Sequence, residues 1–452
     1  MLFNTPQFFL FLLVTLGLFY AAPRSWRKPL LLAASYWFYM CWNWRFAPLL
    51  LTLTAIDYTA ARCIAAAAGA RRRKLLLIVS ITANLGFLGF FKYYNFLAGN
   101  AAALLGRPES AFALSIVLPL GISFHTFQSI SYVVDVYRRQ QAAIRNVLDY
   151  ALYIAFFPQL VAGPIVRARL FFKDLYGWHA PSGEELNRGA LLVLFGLTKK
   201  MALADPFALI ADRYFGSLAA YPGVLTAWSG VLAFAVQIYF DFSGYTDMAI
   251  GMALLMGFHF PVNFRRPYLA AGIADFWRRW HMSLSSWLRD YLYIALGGNR
   301  EGRLRTYVNL MATMLLGGLW HGANWKFVVW GGYHGALLGA ERAAGRRIPR
   351  VITFVLVAIG WVFFRAASLR DSVTVIGRMF GGPRGALLWE RWQIDLILAT
   401  LALAILEEKL QWFEWLVKAP AWLYGTAMAL LLLSIELIGV TEVARPFVYF
   451  QF

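Results

Sequence analysis

Apolar residues fill this chain in long runs separated by short polar connections. The runs extend from Phe8 to Ala22, Leu30 to Trp42, Phe46 to Ala68, Leu75 to Phe91 and Ile116 to Val136. They continue from Val147 to Val161, Ala190 to Leu203, Val224 to Phe258 and Tyr307 to Leu319. Four more follow, from Phe327 to Ala340, Val351 to Phe364, Ile394 to Leu406 and Ala421 to Val440. Hydrocarbon offers no partner for a backbone N–H or C=O, so the longer runs predict membrane helices and the shorter ones predict broken halves paired within the bilayer. No soluble domain or long low-complexity linker interrupts them. The expected fold is therefore an all-α polytopic membrane protein, one integral domain over residues 1–452, with re-entrant and interfacial helices.

Composition agrees with that class. Of 452 residues, 60% are hydrophobic and 14% are charged, against the near-25% charge of a soluble domain. No basic residue precedes the first run and no small-residue cleavage site follows it, so it reads as a retained helix with its N-terminus outside. Arg24, Arg27 and Lys28 come next and belong in the cytoplasm by the positive-inside bias. Arg71 to Lys74 lie two runs later, and Arg138, Arg139 and Arg145 two runs after that, a regular return that fits a bacterial inner membrane. The formal net charge of +19 is thus spent at helix ends, on topology and on anionic lipid, with a phosphate-bearing donor as a further use and nucleic acid displaced as a partner. Cys41 and Cys63 lie in apolar runs without metal-ligand spacing and read as packing residues. Serine-hydrolase elbows, phosphate-binding P-loops and the paired histidines of zinc proteases have no match.

Polar residues inside apolar context carry the candidate chemistry. His321, in Trp320-His321-Gly322-Ala323-Asn324-Trp325, follows directly on an apolar run. An imidazole at membrane depth is costly unless it is hydrogen-bonded, wet or reactive, and it can take a proton from an attacking hydroxyl near neutral pH. A buried histidine satisfied by a carbonyl is the plainer alternative. The tract Asn263 to Arg305 mixes arginines with Trp277, Trp280, Trp287, Tyr291 and Tyr293, as interfacial cytoplasmic helices do, and holds His281 in Arg278-Arg279-Trp280-His281. Phe156 to Pro164 carries two prolines and Gln159, which predicts a broken segment lining a cavity. Asp241 and Asp247 share one apolar run; each can orient a catalytic group, accept a sugar hydroxyl or, as the favoured reading, pair with an arginine. His334 reads as structural or tunnel-lining. A secondary transporter using Asp241, Asp247 and the broken segment is the rival class, and it lacks a second copy of the Pro158 to Pro164 pattern in the other half.

Taken together and in order, these segments resemble the membrane-bound O-acyltransferase family, and within it the branch that serves bacterial alginate O-acetylation. The resemblance rests on Leu118 to Phe124, Phe127 to Tyr132, Phe157 to Pro164, Asp241 to Tyr245, Asn263 to Tyr268, Phe276 to Ser285 and Trp320 to Trp325. It implies a helical bundle around a central tunnel, with His321 as the catalytic residue and His281 as its partner. It implies an acetyl thioester, acetyl-coenzyme A, as donor, and a polysaccharide acceptor, with periplasmic acetyltransferase subunits of the SGNH type or carrier subunits as partners. Asp241, Trp320, Asn324, Arg278, Arg279 and Gln159 are the substrate-binding candidates. His125 stands where an aromatic residue is more usual in this branch, which leaves the choice among alginate, peptidoglycan and other envelope polymers open.

Depth and direction follow from length. Tyr307 to Leu319 is 13 residues, or roughly 20 Å of helix, which predicts His321 inside the membrane and nearer its outer half, with the basic tract cytoplasmic. In a cysteine-free background, Arg300→Cys should react only with reagents that reach the cytoplasm. Labelling by an impermeant reagent applied from outside would invert the topology.

Overall fold

The computed structural model describes residues 1–161, 163–441 and 445–448, and those residues are helical with no strand among them. Four helical stretches are long and apolar enough to cross a bilayer: Arg24–Ala66, Ala70–Leu104, Val224–Leu255 and Ala421–Ile438. The described residues group into two compact units. Residues 1–181 and 252–261 form the first, and residues 182–251 and 262–452 the second.

In the first unit, helices Arg24–Asn43, Ala47–Ala66, Ala70–Leu88 and Ile122–Tyr137 pack together with the segment from Val147 to Val161, which is almost wholly buried. Helix Ile122–Tyr137 is buried almost throughout, His125 included. The apolar run that predicts a helix from Ile116 begins one only at Ile122, because Pro119 and Gly121 intervene and Gly121 takes a left-handed φ of 71°. A β-carbon at Gly121 would lie 2.3 Å from the Leu160 carbonyl oxygen, so the chain passes the broken segment at backbone contact. That segment behaves as its prolines require: helix Val147–Ala155 stops, and a single turn, Phe157–Leu160, follows a kink at Phe156. The buried carboxylate of Asp57 accepts at Oδ1 from neutral donors, Ser80 Oγ at 2.6 Å and Asn84 Nδ2 at 2.7 Å. Lys28 reaches Asp149 at 2.9 Å and ties the second helix to Val147–Ala155.

The second unit begins with a capping box, in which Ser182 Oγ accepts from Glu185 N and the Glu185 carboxylate accepts from Ser182 N, starting helix Gly183–Thr198. A π-helical turn, Lys199–Ala204, leads into Asp205–Gly216. The heart of this unit is an antiparallel pair, Gly302–His321 and Trp325–Ala344. The first of these starts five residues before the apolar run does, its opening turn carrying Arg303 and Arg305. At 20 residues it spans roughly 30 Å, so the sequence estimate of a shorter helix is corrected and His321 is its final residue. Asn324 caps the second helix by accepting from Lys326 N at 3.0 Å.

The pair approaches at backbone distance. A β-carbon on Gly331 would sit 2.2 Å from the Met314 oxygen, and one on Gly318 would sit 2.2 Å from the Phe327 oxygen. Without a hydrophobic driving force between helices in lipid, such small-residue contacts hold them together. Gly331→Ala should therefore destabilise the purified protein by about 1–3 kcal/mol, read as a lower thermal midpoint in detergent. Gly425→Ala, with nothing within 4 Å of the added carbon, should leave the midpoint unchanged or higher. Equal midpoints for the two variants would contradict the close packing.

Candidate active site

The helix Gly302–His321 presents Leu310, Thr313, Met314, Gly317 and His321 along one face, at the spacing of successive helical turns. That face walls a cavity of about 180 Å³. Leu284, Leu288, Trp277 and Trp330 close most of the rest, and Arg289 and Tyr293 also line it. Apart from Arg289, Thr313, Ser285, Tyr293 and the imidazole, the lining is apolar. The Arg289 side chain is 64% exposed and bonds Asp290 at 2.7 Å, so it can reach solvent and an incoming anion. Helix termination at Gly322, whose backbone is extended, leaves His321 on the last turn. There its ring packs edge-on against Trp330 with centroids 5.0 Å apart and against Phe364 at 5.4 Å. His321 is buried, and these aromatic walls hold its orientation.

Trp320 links the two candidate histidines. Its ring lies 5.0 Å from that of His321 and 6.3 Å from that of His281. His281 is fully buried and sits at a left-handed φ of 43°, costly for a side chain with a β-carbon. Asn263 holds it there. Met282 N donates to the Asn263 carbonyl at 2.9 Å, while Ser283 N and Ser283 Oγ donate to Asn263 Oδ1 at 3.0 and 2.9 Å. His281 Nδ1 lies 3.2 Å from the same Oδ1. Because the backbone donor at Ser283 identifies that amide atom as the oxygen, Nδ1 must carry the hydrogen, and Nε2 becomes the basic nitrogen of the neutral ring. Phe242, 4.7 Å away and nearly perpendicular, packs against the imidazole.

The other sequence candidates fall in distinct settings. Asp241 is buried in an ion triad: Lys200 Nζ lies 2.7 Å from Asp241 Oδ1 and 2.8 Å from Asp205 Oδ1, while Val448 N donates to Asp241 Oδ2 at 2.6 Å. Asp247 pairs with Lys199 at 2.5 Å. The cation is a lysine in each pair, and the π-helical turn at Lys199–Ala204 supplies both. Arg279 turns towards Asp275 at 3.1 Å and Glu408 at 3.9 Å, whereas Arg278 is exposed. Asn324 serves as the helix cap beside His321. Gln159, in the first unit, is buried and donates from Nε2 to the Tyr153 carbonyl at 2.5 Å. His334 packs against Trp330 and Trp277, with centroids 5.0 and 5.2 Å away. Four residues that line the cavity or orient its neighbours went unassigned from sequence: Asn263, Trp277, Arg289 and Trp330. The first three belong to the basic and aromatic tract, where no pattern separates them from its other members, and Trp330 sits within an apolar run.

An imidazole thus ends the wall of an apolar cavity within a helical membrane protein, and the class of that protein is given by its relatives. The match to the membrane-bound O-acyltransferase family model covers residues 67–370, and the chain belongs to that family. It is 44% identical over 396 residues to a probable alginate O-acetylase of Pseudomonas putida, covering 84% of this chain and 80% of that protein. Its identity to the probable alginate O-acetylase of Pseudomonas aeruginosa is 45%, across 84% of this chain and 75% of the relative. A peptidoglycan O-acetyltransferase of Helicobacter pylori is 39% identical, across 84% of this chain and 80% of the relative.

If Asn263 sets the His281 tautomer, removing its oxygen should disable the ring without closing the cavity. Asn263→Leu is expected to lower kcat at least about tenfold, part of the 10²- to 10⁴-fold that a positioned base supplies, with KM for donor nearly unchanged. Asn263→Asp, which keeps an acceptor for His281 Nδ1, Ser283 N and Ser283 Oγ, should retain most activity. A leucine variant with parental kcat would remove the positioning role.

Proposed function

We propose that this acyltransferase moves an acetyl group from a cytoplasmic thioester, acetyl-coenzyme A, to a hydroxyl of an extracytoplasmic polysaccharide at the bacterial inner membrane. An alginate-type exopolysaccharide is the acceptor favoured by the similarity to alginate O-acetylases. The observation that carries the reading is the cavity that joins His321 to the solvent-reaching Arg289. The whole chain acts as one acyltransferase domain in this reading, since the family match runs through parts of both units.

His321 accepts the proton of the attacking hydroxyl as its oxygen bonds to the thioester carbonyl carbon. The tetrahedral intermediate then collapses with cleavage of the C–S bond, and the proton passes from the imidazolium to the leaving thiolate. His281 assists from across Trp320, with Nε2 as its basic atom. Arg278 and Arg279 on the basic tract, with Arg289, attract the phosphates of the donor through forked hydrogen bonds. Trp320 and Asn324 shape the approach of the acceptor, and Gln159 keeps the broken segment of the first unit in register. Asp241 contributes through the buried triad that anchors the helix carrying it. Periplasmic SGNH-type acetyltransferase or carrier subunits would receive the acetyl group where the polymer itself does not.

A second acceptor, peptidoglycan, is favoured by the similarity to the Helicobacter pylori enzyme. Analysis of O-acetyl groups on exopolysaccharide and on cell wall from the same culture separates the two. His321→Ala should abolish acetylation of whichever polymer carries it, a loss of about 10²-fold or more, at parental protein level in the membrane. Retained acetylation in that variant would sink the assignment.

A further inference from the structure

We propose that the outer end of the second unit is a binding rim for a carboxylate-bearing polysaccharide, built from arginines that the acyl-transfer site leaves unused. The inference rests on the reading above that the acceptor meets the acetyl group at the His321 end of its helix. That end is defined by contacts within this unit. Helix Trp325–Ala344 begins there, and Lys326 Nζ donates to the carbonyl of Ala366 at 2.7 Å, which brings the end of helix Arg350–Arg365 alongside. Helix Leu369–Phe380 and the irregular connection after it follow. Val224 N and Leu225 N donate to the carbonyls of Pro383 and Arg384, each at 2.9 Å, so the start of the Val224–Leu255 helix joins the same end. Arg378 donates to the Leu218 carbonyl, adding the segment after helix Asp205–Gly216.

The charge at this end runs against the usual bias. Basic residues concentrate on the cytoplasmic side of membrane proteins, yet Arg213, Arg370 and Arg384 stand exposed here and make no ion pair among the described residues. Asp212 is the carboxylate for two guanidiniums, accepting from Arg365 at 2.6 Å and Arg445 at 2.9 Å. Arg378 is satisfied by a carbonyl, which bonds its hydrogens without cancelling its charge. Beside them Trp325, four residues beyond His321, keeps 53% of its surface exposed and offers a flat apolar face. Guanidinium forks match carboxylates in bidentate geometry, and an indole face accommodates the apolar side of a sugar ring. A polymer of acidic sugars meets both, and a cationic rim raises its local concentration near the site in a salt-dependent way.

The test uses the full-length protein in discs of zwitterionic lipid, titrated with a labelled, unacetylated oligouronate at low and at high salt, with a neutral glucan oligosaccharide of equal length in parallel. The combined variant Arg213→Gln, Arg370→Gln, Arg384→Gln should bind the oligouronate about tenfold more weakly than the parent, the joint effect of three exposed ion pairs of ordinary strength. High salt should weaken the parent similarly, and the neutral oligosaccharide should bind neither protein. His321→Ala should bind the oligouronate as the parent does. Equal binding of charged and neutral oligosaccharides, or parental affinity in the triple variant, would overturn the rim. Failure of the catalytic reading is separable, because it is read as retained acetylation in His321→Ala and leaves oligouronate affinity untouched.

Discussion

The close contact of helices Gly302–His321 and Trp325–Ala344 is the constraint from which the site follows. Lipid tails solvate an exposed leucine as well as another helix does, so helix pairs in a membrane are held by packing and not by water exclusion. At Gly318 and Gly331 the two backbones come within reach of each other's carbonyls. That contact leaves little room for one helix to slide past the other. The first helix ends where Gly322 turns extended, and its last residue is His321. Trp330, from the second helix of the pair, and Phe364 then pack edge-on against the imidazole.

A second set of interactions deals with charge. Placing an unpaired ion in a low-dielectric interior costs several kcal/mol, and the second unit answers this with lysines from one π-helical turn. Lys200 joins Asp205 and Asp241, and Lys199 takes Asp247. The turn inserts an extra residue into the helical register, and consecutive lysines there face carboxylates six positions apart on another helix. Asp241 also receives Val448 N, so the triad fastens a distant part of the chain to the helix that carries Phe242, the neighbour of His281. In the first unit Asp57 is handled differently, by hydroxyl and amide donors.

Much of this is legible in the sequence. The apolar runs marked the helices, and polar residues within or directly after them marked His321, Asp241 and Gln159, while His281 was marked in the basic tract by the family resemblance. The prolines of the Phe156 to Pro164 segment marked the break at Phe156, whereas the run from Ile116 passed over Pro119 and Gly121, and the helix starts only at Ile122. The runs misjudged boundaries where charged residues extend a helix beyond its apolar part, as Arg303 and Arg305 do for the helix ending at His321. They passed over helices Asp205–Gly216 and Leu369–Phe380, which are short and carry charge, so no membrane-length run betrays them.

By itself the sequence determined the class of protein, the helical architecture and the identity of the catalytic candidates, because the absence of water in hydrocarbon makes each buried polar residue stand out from its surroundings. Tertiary structure alone decided the partners. Asn263 and His281 are 18 residues apart, Lys200 and Asp241 are 41 apart, and nothing in local spacing says that either pair will meet. Which arginine faces the cavity was decided in the same way: Arg278, Arg279 and Arg289 are chemically equal in a basic tract, and only the path of the chain turns Arg279 towards Glu408 and leaves Arg289 beside the cavity that His321 ends.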